Sequence, residues 1–146
     1  MDYLDSSLLV AAVSKEIASP DVQLWFATQP AGRLCTSTWA ITEVSSALAM
    51  KRRAGRINED ERQISLETID KLIDEILVMH SVQEHHFDMA ARIADRIETK
   101  LRAGDALHMA VAQSLNARVC TLDRTFAEAG DIVGVRTLFL NLNPSV

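Results

Sequence analysis

The side chains with the clearest capacity for chemistry are four acids that fall where the chain closes or opens an element: Asp5, Glu43, Asp105 and Asp123. Asp5 ends the short run Tyr3-Leu4, and Asp123 ends Val119-Cys120-Thr121-Leu122. Asp105 follows Ala103-Gly104 and opens a helical stretch, Ala106 to Val111, where a carboxylate is favoured by the helix dipole and has its orientation fixed. Glu43 lies four residues into the helix expected after the second strand, beside the apolar stripe Ala40, Val44, Ala47 and Leu48. Taken singly, each has an ordinary structural role: Asp105 as an N-cap, Asp123 as a turn residue, Glu43 as a solvated helix residue.

Taken together they ask for more. In an open α/β sheet the functional crevice lies beyond the carboxyl ends of the strands, and the order of elements carries all four acids to that end. Carboxylates a few ångströms apart repel by roughly 4 kcal/mol per pair at an effective dielectric near 20, so such a cluster calls for a cation or for protons. Oxygen ligands without Cys or His at ligand spacing favour a hard ion, Mg²⁺ or Mn²⁺, whose natural chemistry here is phosphodiester hydrolysis.

The elements that must position these acids follow from the apolar periodicity. Strands are expected near residues 2–5, 33–38, 78–82, 117–122 and 134–139. Helices are expected near 7–16, 20–30, 39–54, 58–77, 84–100, 105–115 and 124–129. This alternation predicts an α/β fold with helices on both faces of a mainly parallel sheet of four to five strands. The helix from Asn58 has the best local warrant, since Asn58 and Glu61 stand at N-cap and N3 spacing ahead of Ile69, Leu72, Ile73 and Ile76. Arg53-Ala54-Gly55-Arg56 reads as a helix stop, which makes the third and fourth helices a protruding hairpin. The tail Asn141–Val146 is expected to fray.

Length and composition bound the rest. The chain has 146 residues, 48% of them hydrophobic, enough for one core and one domain spanning 1–146. No apolar run is long enough to cross a membrane and the first residues do not resemble a signal peptide, so a cytoplasmic location is expected. Cys35 and Cys120 sit in apolar stretches as small buried hydrophobes. A net charge of −5 argues against a uniformly nucleic-acid-attracting surface but permits a local basic rim, with Lys51, Arg52, Arg53, Lys100 and Arg102 as the candidates.

The histidines and aromatics have lesser parts in this reading. His85 and His86 are adjacent and lack a third ligand at suitable spacing for zinc. His108, one turn beyond Asp105, is expected to pack or to support the acids rather than act as a base. Trp25, Phe26 and Trp39 are expected in the core or at a subunit contact rather than stacked on bases. A phosphoryl-accepting receiver domain would need a lysine after the last strand, and residues 138–143 offer none; neither nucleotide-binding glycine motif occurs.

The segments Tyr3-Leu-Asp5-Ser-Ser7, Thr42-Glu43, Leu101-Arg-Ala-Gly-Asp105-Ala-Leu-His-Met-Ala110 and Thr121-Leu-Asp123-Arg-Thr-Phe126, in that order, resemble the PIN domain family. More narrowly, they resemble its VapC-type toxin ribonucleases of toxin–antitoxin pairs. The resemblance spans nearly the whole chain. It implies a three-layer α/β/α fold and a Mg²⁺- or Mn²⁺-dependent endoribonuclease acting on RNA. Asp5, Glu43, Asp105 and Asp123 would form its acidic pocket, with Asp5 and Asp105 as the direct metal ligands and Ser7 and Thr121 orienting the acids. It also implies a homodimer and a VapB-type antitoxin that inserts its carboxyl-terminal segment into the active-site groove. One departure is Gly104, where many relatives carry proline or a bulkier residue. The alternative reading is a PIN-like interaction module without catalysis.

Overall fold

The structure, a computed structural model, describes residues 1–142. Five strands, β1 (Asp2–Leu4), β2 (Leu34–Ser37), β3 (Val78–His80), β4 (Arg118–Thr121) and β5 (Thr137–Phe139), form one parallel sheet in the order β3-β2-β1-β4-β5. Between them run α1 (Ser6–Val13), α2 (Ser19–Ala27), α3 (Thr38–Arg53), α4 (Glu59–Glu75), α5 (Glu84–Ala94), a 3₁₀ turn at Ile97–Thr99, α6 (Ala103–Ser114) and α7 (Arg124–Val133). The frayed-tail expectation falls partly on residues 143–146, which lie outside the described residues.

Because successive strand side chains point to opposite faces, the central strands feed two cores. Leu4, Leu34 and Cys120 pack under α1 to α4, with Leu8, Leu9, Val44, Leu48 and Ile69. Tyr3, Cys35 and Val119 pack under α5 to α7, with Ala90, Ile93, Leu107, Met109, Ala110 and Phe126. The result is the expected three-layer α/β/α arrangement. Strand order reverses direction between β1 and β4, and at that switch point the ends of two neighbouring strands leave a crevice.

The helix starts follow their sequence signals. Asn58 caps α4 by accepting from the Glu61 amide at 2.8 Å while the Asn58 amide donates to Glu61 Oε2 at 3.0 Å. Gly55, with φ of 69°, takes the left-handed conformation that ends α3 and turns the chain into α4. α4 lies back over α1 and α3 through Leu66, Ile69, Leu72 and Ile73, and its remaining surface is mostly exposed.

α1 and α2 stop three residues short of their expected ends, at Val13 and Ala27, and two later helices depart further. The helix expected over 84–100 ends at Ala94, and the Thr99 hydroxyl, donating to Arg96 O at 2.8 Å, with Lys100 at φ 56°, folds the chain back so that α6 begins early, at Ala103. The helix expected to stop at 129 runs through Gly130 to Val133. There a Cβ at Gly130 would stand 2.3 Å from Thr137 Cγ2, so the glycine serves close helix–strand packing and the break falls instead at Gly134. β5 accordingly starts at Thr137 rather than near 134.

Candidate functional site

Asp5 follows β1 and begins α1, and its buried carboxylate is held from three sides. Ser7 Oγ donates to Oδ1 at 2.7 Å, the Leu8 amide to Oδ1 at 3.2 Å, and Thr121 Oγ1 to Oδ2 at 2.6 Å. Asp5 is thus the N-cap of α1 as well as a candidate ligand. Ser7 Oγ in turn accepts from the Leu122 amide at 3.1 Å, and Thr121 Oγ1 from the Asp123 amide at 2.9 Å, which binds the end of β4 to the end of β1. Burial pushes the Asp5 carboxyl above its ordinary range, against the lowering effect of the Ser7 and Thr121 hydrogen bonds.

Asp123 is the N-cap of α7, its Oδ1 accepting from the Phe126 amide at 3.0 Å. Asp105 is not an N-cap: α6 starts at Ala103 with Arg102 as its cap, so the carboxylate sits inside the first turn. Burial raises its carboxyl above the usual value, the Arg102 backbone and the His108 ring oppose this, and the charges of Asp123 and Glu43 add to the rise. The three aspartates line one cavity of about 660 Å³, together with Ser6, Ser7, Val10, Glu16, Ala47, Leu122 and Arg124.

Glu43 turns elsewhere. On α3 it faces a second cavity of about 660 Å³ lined also by Asp105 and Asp123, with Lys100, Arg102, Thr125 and Trp39. Its Oε2 lies 2.5 Å from His108 Nε2. Burial would raise this carboxyl, but the His108 contact outweighs it and holds the group below its ordinary range. The indole Nε1 of Trp39, which borders the same cavity, has no hydrogen-bond partner. Among the described residues no three Asp, Glu, His or Cys side chains stand close enough to hold one ion. The acids are therefore gathered around two adjoining cavities joined at Asp105 and Asp123, not pointed at a single spot.

The donor chemistry of the first cavity still suits a hard divalent ion. It offers only oxygen ligands, and the carboxyls of Asp5 and Asp105 are raised by burial, a cost that a cation would offset.

The basic residues divide. Lys100 and Arg102 line the Glu43 cavity. Lys51 is ion-paired to Glu16 at 2.6 Å and lines a further hollow, with Val10, Glu16, Ala47 and Arg56, that adjoins the aspartate cavity. Arg52 pairs with Glu59 at 3.4 Å and Arg53 is exposed; neither lines these three cavities. Arg124, which sequence reasoning missed, borders the aspartates and lies 4.7 Å over the Phe139 ring. Its only sequence signal was its place directly after Asp123.

His85, His86, Trp25 and Phe26 line none of these three cavities. His86 is buried, its Nδ1 accepting from the Gln83 amide at 2.9 Å, while His85 is exposed. Trp25 and Phe26 pack against the first core.

A family model described as PIN domain matches residues 3–132. The chain belongs to the PIN domain family. Its architecture is shared with PIN toxins of the VapC and FitB types. The VapC20 toxin of Mycobacterium tuberculosis, a sarcin–ricin loop cleaving toxin, has a TM-score of 0.72 and 16% identity, over 99% of this chain and 100% of that one. FitAcB from Neisseria gonorrhoeae has a TM-score of 0.69 and 19% identity, over 96% of this chain and 97% of its own. VapBC2 from Rickettsia felis, solved with a DNA fragment from its promoter, has a TM-score of 0.66 and 14% identity, over 97% of this chain and 100% of its own. Among curated protein sequences none matches.

Proposed function

We propose that this PIN domain, spanning residues 1–146, is a Mg²⁺- or Mn²⁺-dependent endoribonuclease and the toxin of a toxin–antitoxin pair. The observation that carries this reading is the meeting of Asp5, Asp105 and Asp123, from three elements, around one cavity at the switch point of the sheet, with Glu43 in the cavity beside it. Asp5 and Asp105 would hold the ion, with Asp123 and Glu43 supplying further negative charge. Held there, a divalent ion would supply Lewis acidity toward a phosphodiester.

The chain's own part is positioning. Ser7 and Thr121 fix both oxygens of Asp5. The Phe126 amide fixes one oxygen of Asp123 and leaves the other to the cavity. Lys100, Arg102 and Arg124 offset the repulsion between the acidic pocket and the RNA backbone.

Large apolar side chains stand exposed at Ile17, Leu24, Met50, Ile64, Phe87 and Ile97, area that a second copy and a VapB-type antitoxin would cover. The solved complexes of FitAB, and of VapBC proteins from Rickettsia felis and Mycobacterium tuberculosis, are partnerships of that kind. A cytoplasmic setting is part of this reading; no described helix is long and apolar enough to cross a membrane.

The reading opposed to this one, an interaction module without catalysis, is favoured by the absence of a converged three-ligand group among the described residues. Incubation with RNA in Mn²⁺ decides between them. Cleavage that EDTA stops and added Mn²⁺ restores is the expected result; intact RNA at every Mn²⁺ concentration overturns the nuclease reading.

A further inference from the structure

Most of α6 is apolar and buried: Ala106, Leu107, Met109, Ala110, Val111 and Ala112 all lie in the core. His108, 1% exposed, stands among them as a polar exception. Its Nε2 meets Glu43 Oε2 at 2.5 Å and its Nδ1 meets the Tyr3 hydroxyl at 2.7 Å. The Tyr3 hydroxyl lies 2.7 Å from Ser37 Oγ. An ionised Glu43 can only accept, so Nε2–H donates to it. Nδ1 shares the second hydrogen bond with the Tyr3 hydroxyl, which is bonded in turn to Ser37 Oγ. Every member of this buried chain has a partner, and it braces Glu43 against the two central strands β1 and β2.

Gly104 stands four residues before His108, on the same face of α6. Its φ is not positive, so no backbone conformation demands a glycine there. The demand is steric: a Cβ would stand 2.7 Å from Glu43 Oε1, whereas its nearest Trp39 atom would be at an ordinary 3.4 Å.

We propose that Gly104 and His108 form a seat for the Glu43 carboxylate, with His108 the positioning residue that fixes one oxygen and Gly104 leaving the room the other occupies. Tyr3 is two residues from Asp5 on the same strand end, so the seat sets Glu43 relative to Asp5 across the pocket.

The test is a thermal cycle. Gly104 has a φ that Ala adopts without strain and lies in the first turn of α6, where Ala loses less chain entropy on folding than Gly, so in a Glu43→Ala background Gly104→Ala raises the unfolding midpoint by about 1–4 °C. In the wild-type background the same methyl group displaces the carboxylate, and the midpoint does not rise. An equal rise in both backgrounds overturns the seat. The activity arm rests on the ribonuclease reading: Gly104→Ala and His108→Leu each lower kcat to the level of Glu43→Ala, leave KM unchanged, and cause no further loss when combined with Glu43→Ala. Full kcat in Gly104→Ala, or losses that multiply with that of Glu43→Ala, overturn it. If the wild-type protein cleaves nothing, the functional reading fails while the thermal cycle still reports on the seat. Gly104→Ala, a change of one methyl group, keeps the cycle readable where His108→Leu does not fold.

Discussion

Asp5 has two duties with opposite electrostatic demands: as a cap it is held by Ser7, Leu8 and Thr121, and as a buried carboxylate it carries a charge that burial disfavours. Its folded pKa lies above the unfolded one, so the cost is absent below the unfolded value and fully present once the pH has risen through the folded value. Asp5→Asn removes the charge and keeps the cap oxygen that accepts from Leu8. In EDTA at neutral pH we expect a higher unfolding midpoint than wild type, by about 2–4 °C for each kcal/mol relieved, with the gap closing in acid. Differential scanning calorimetry across pH checks this, and a large downward shift at neutral pH counts against it; RNA cleavage is expected to vanish in the same variant. At this scale the acids, Ser7 and Thr121 were legible because each lies in a short segment with a recognisable neighbourhood. The Glu43–His108 and Tyr3–His108 contacts were not, since their partners are separated by 65 and 105 residues and nothing local to either announces the other. The basic run at 51–53 does not itself reveal which of its members are already paired, as Lys51 is to Glu16 and Arg52 to Glu59.

Among the elements, β1 is tied to its neighbours at the end opposite the pocket. Asp2, 1% exposed, accepts from Arg118 Nε and Nη2 at 3.0 Å each and from Arg33 Nε at 2.8 Å, linking β1 to β4 and to the residue before β2. Burial would raise this carboxyl, but the two guanidinium groups together hold it below its ordinary range. Its stabilising contribution is therefore present above the unfolded value and lost as the pH falls through the folded one. Asp2→Asn is expected to cost about 1–3 kcal/mol at neutral pH, less than a fully buried pair because both arginines are partly exposed. Urea unfolding at neutral and at strongly acidic pH measures it, and an undiminished difference in acid contradicts the assignment. Helix starts with side-chain caps, such as Asn58 with Glu61, were readable from sequence alone. Helix ends set by tertiary packing were not: α7 continues through Gly130 because Val135 and Thr137 press against it, and α6 begins before Asp105 because Lys100 reverses the chain.

At the scale of the whole molecule, the proposed action on RNA would require a chain of net charge −5 to recruit an anionic substrate through local cations. Arg102→Ala with Arg124→Ala is expected to weaken binding of a single-stranded RNA and to flatten its salt dependence by about 0.7 log unit per log unit of salt for each cation removed. Fluorescence anisotropy over a salt series measures the slope, and an unchanged slope removes these two residues from the RNA path. The alternation of strands and helices, and hence the layers, could be read from apolar periodicity. The strand order could not be read from periodicity, which is blind to which strands lie side by side. That order has a consequence in time. β1, made first, has β4 as one neighbour, and the hydroxyl of Thr121 and the carboxylate of Asp123 arrive only with that late strand. At ribosomal speeds of about 5–20 residues per second, roughly 6–24 s separate the emergence of Asp5 from that of the residues that complete its surroundings. On the nuclease reading proposed above, a growing chain lacks a complete acidic pocket for that interval, and a chain cut short before Thr121 never acquires one.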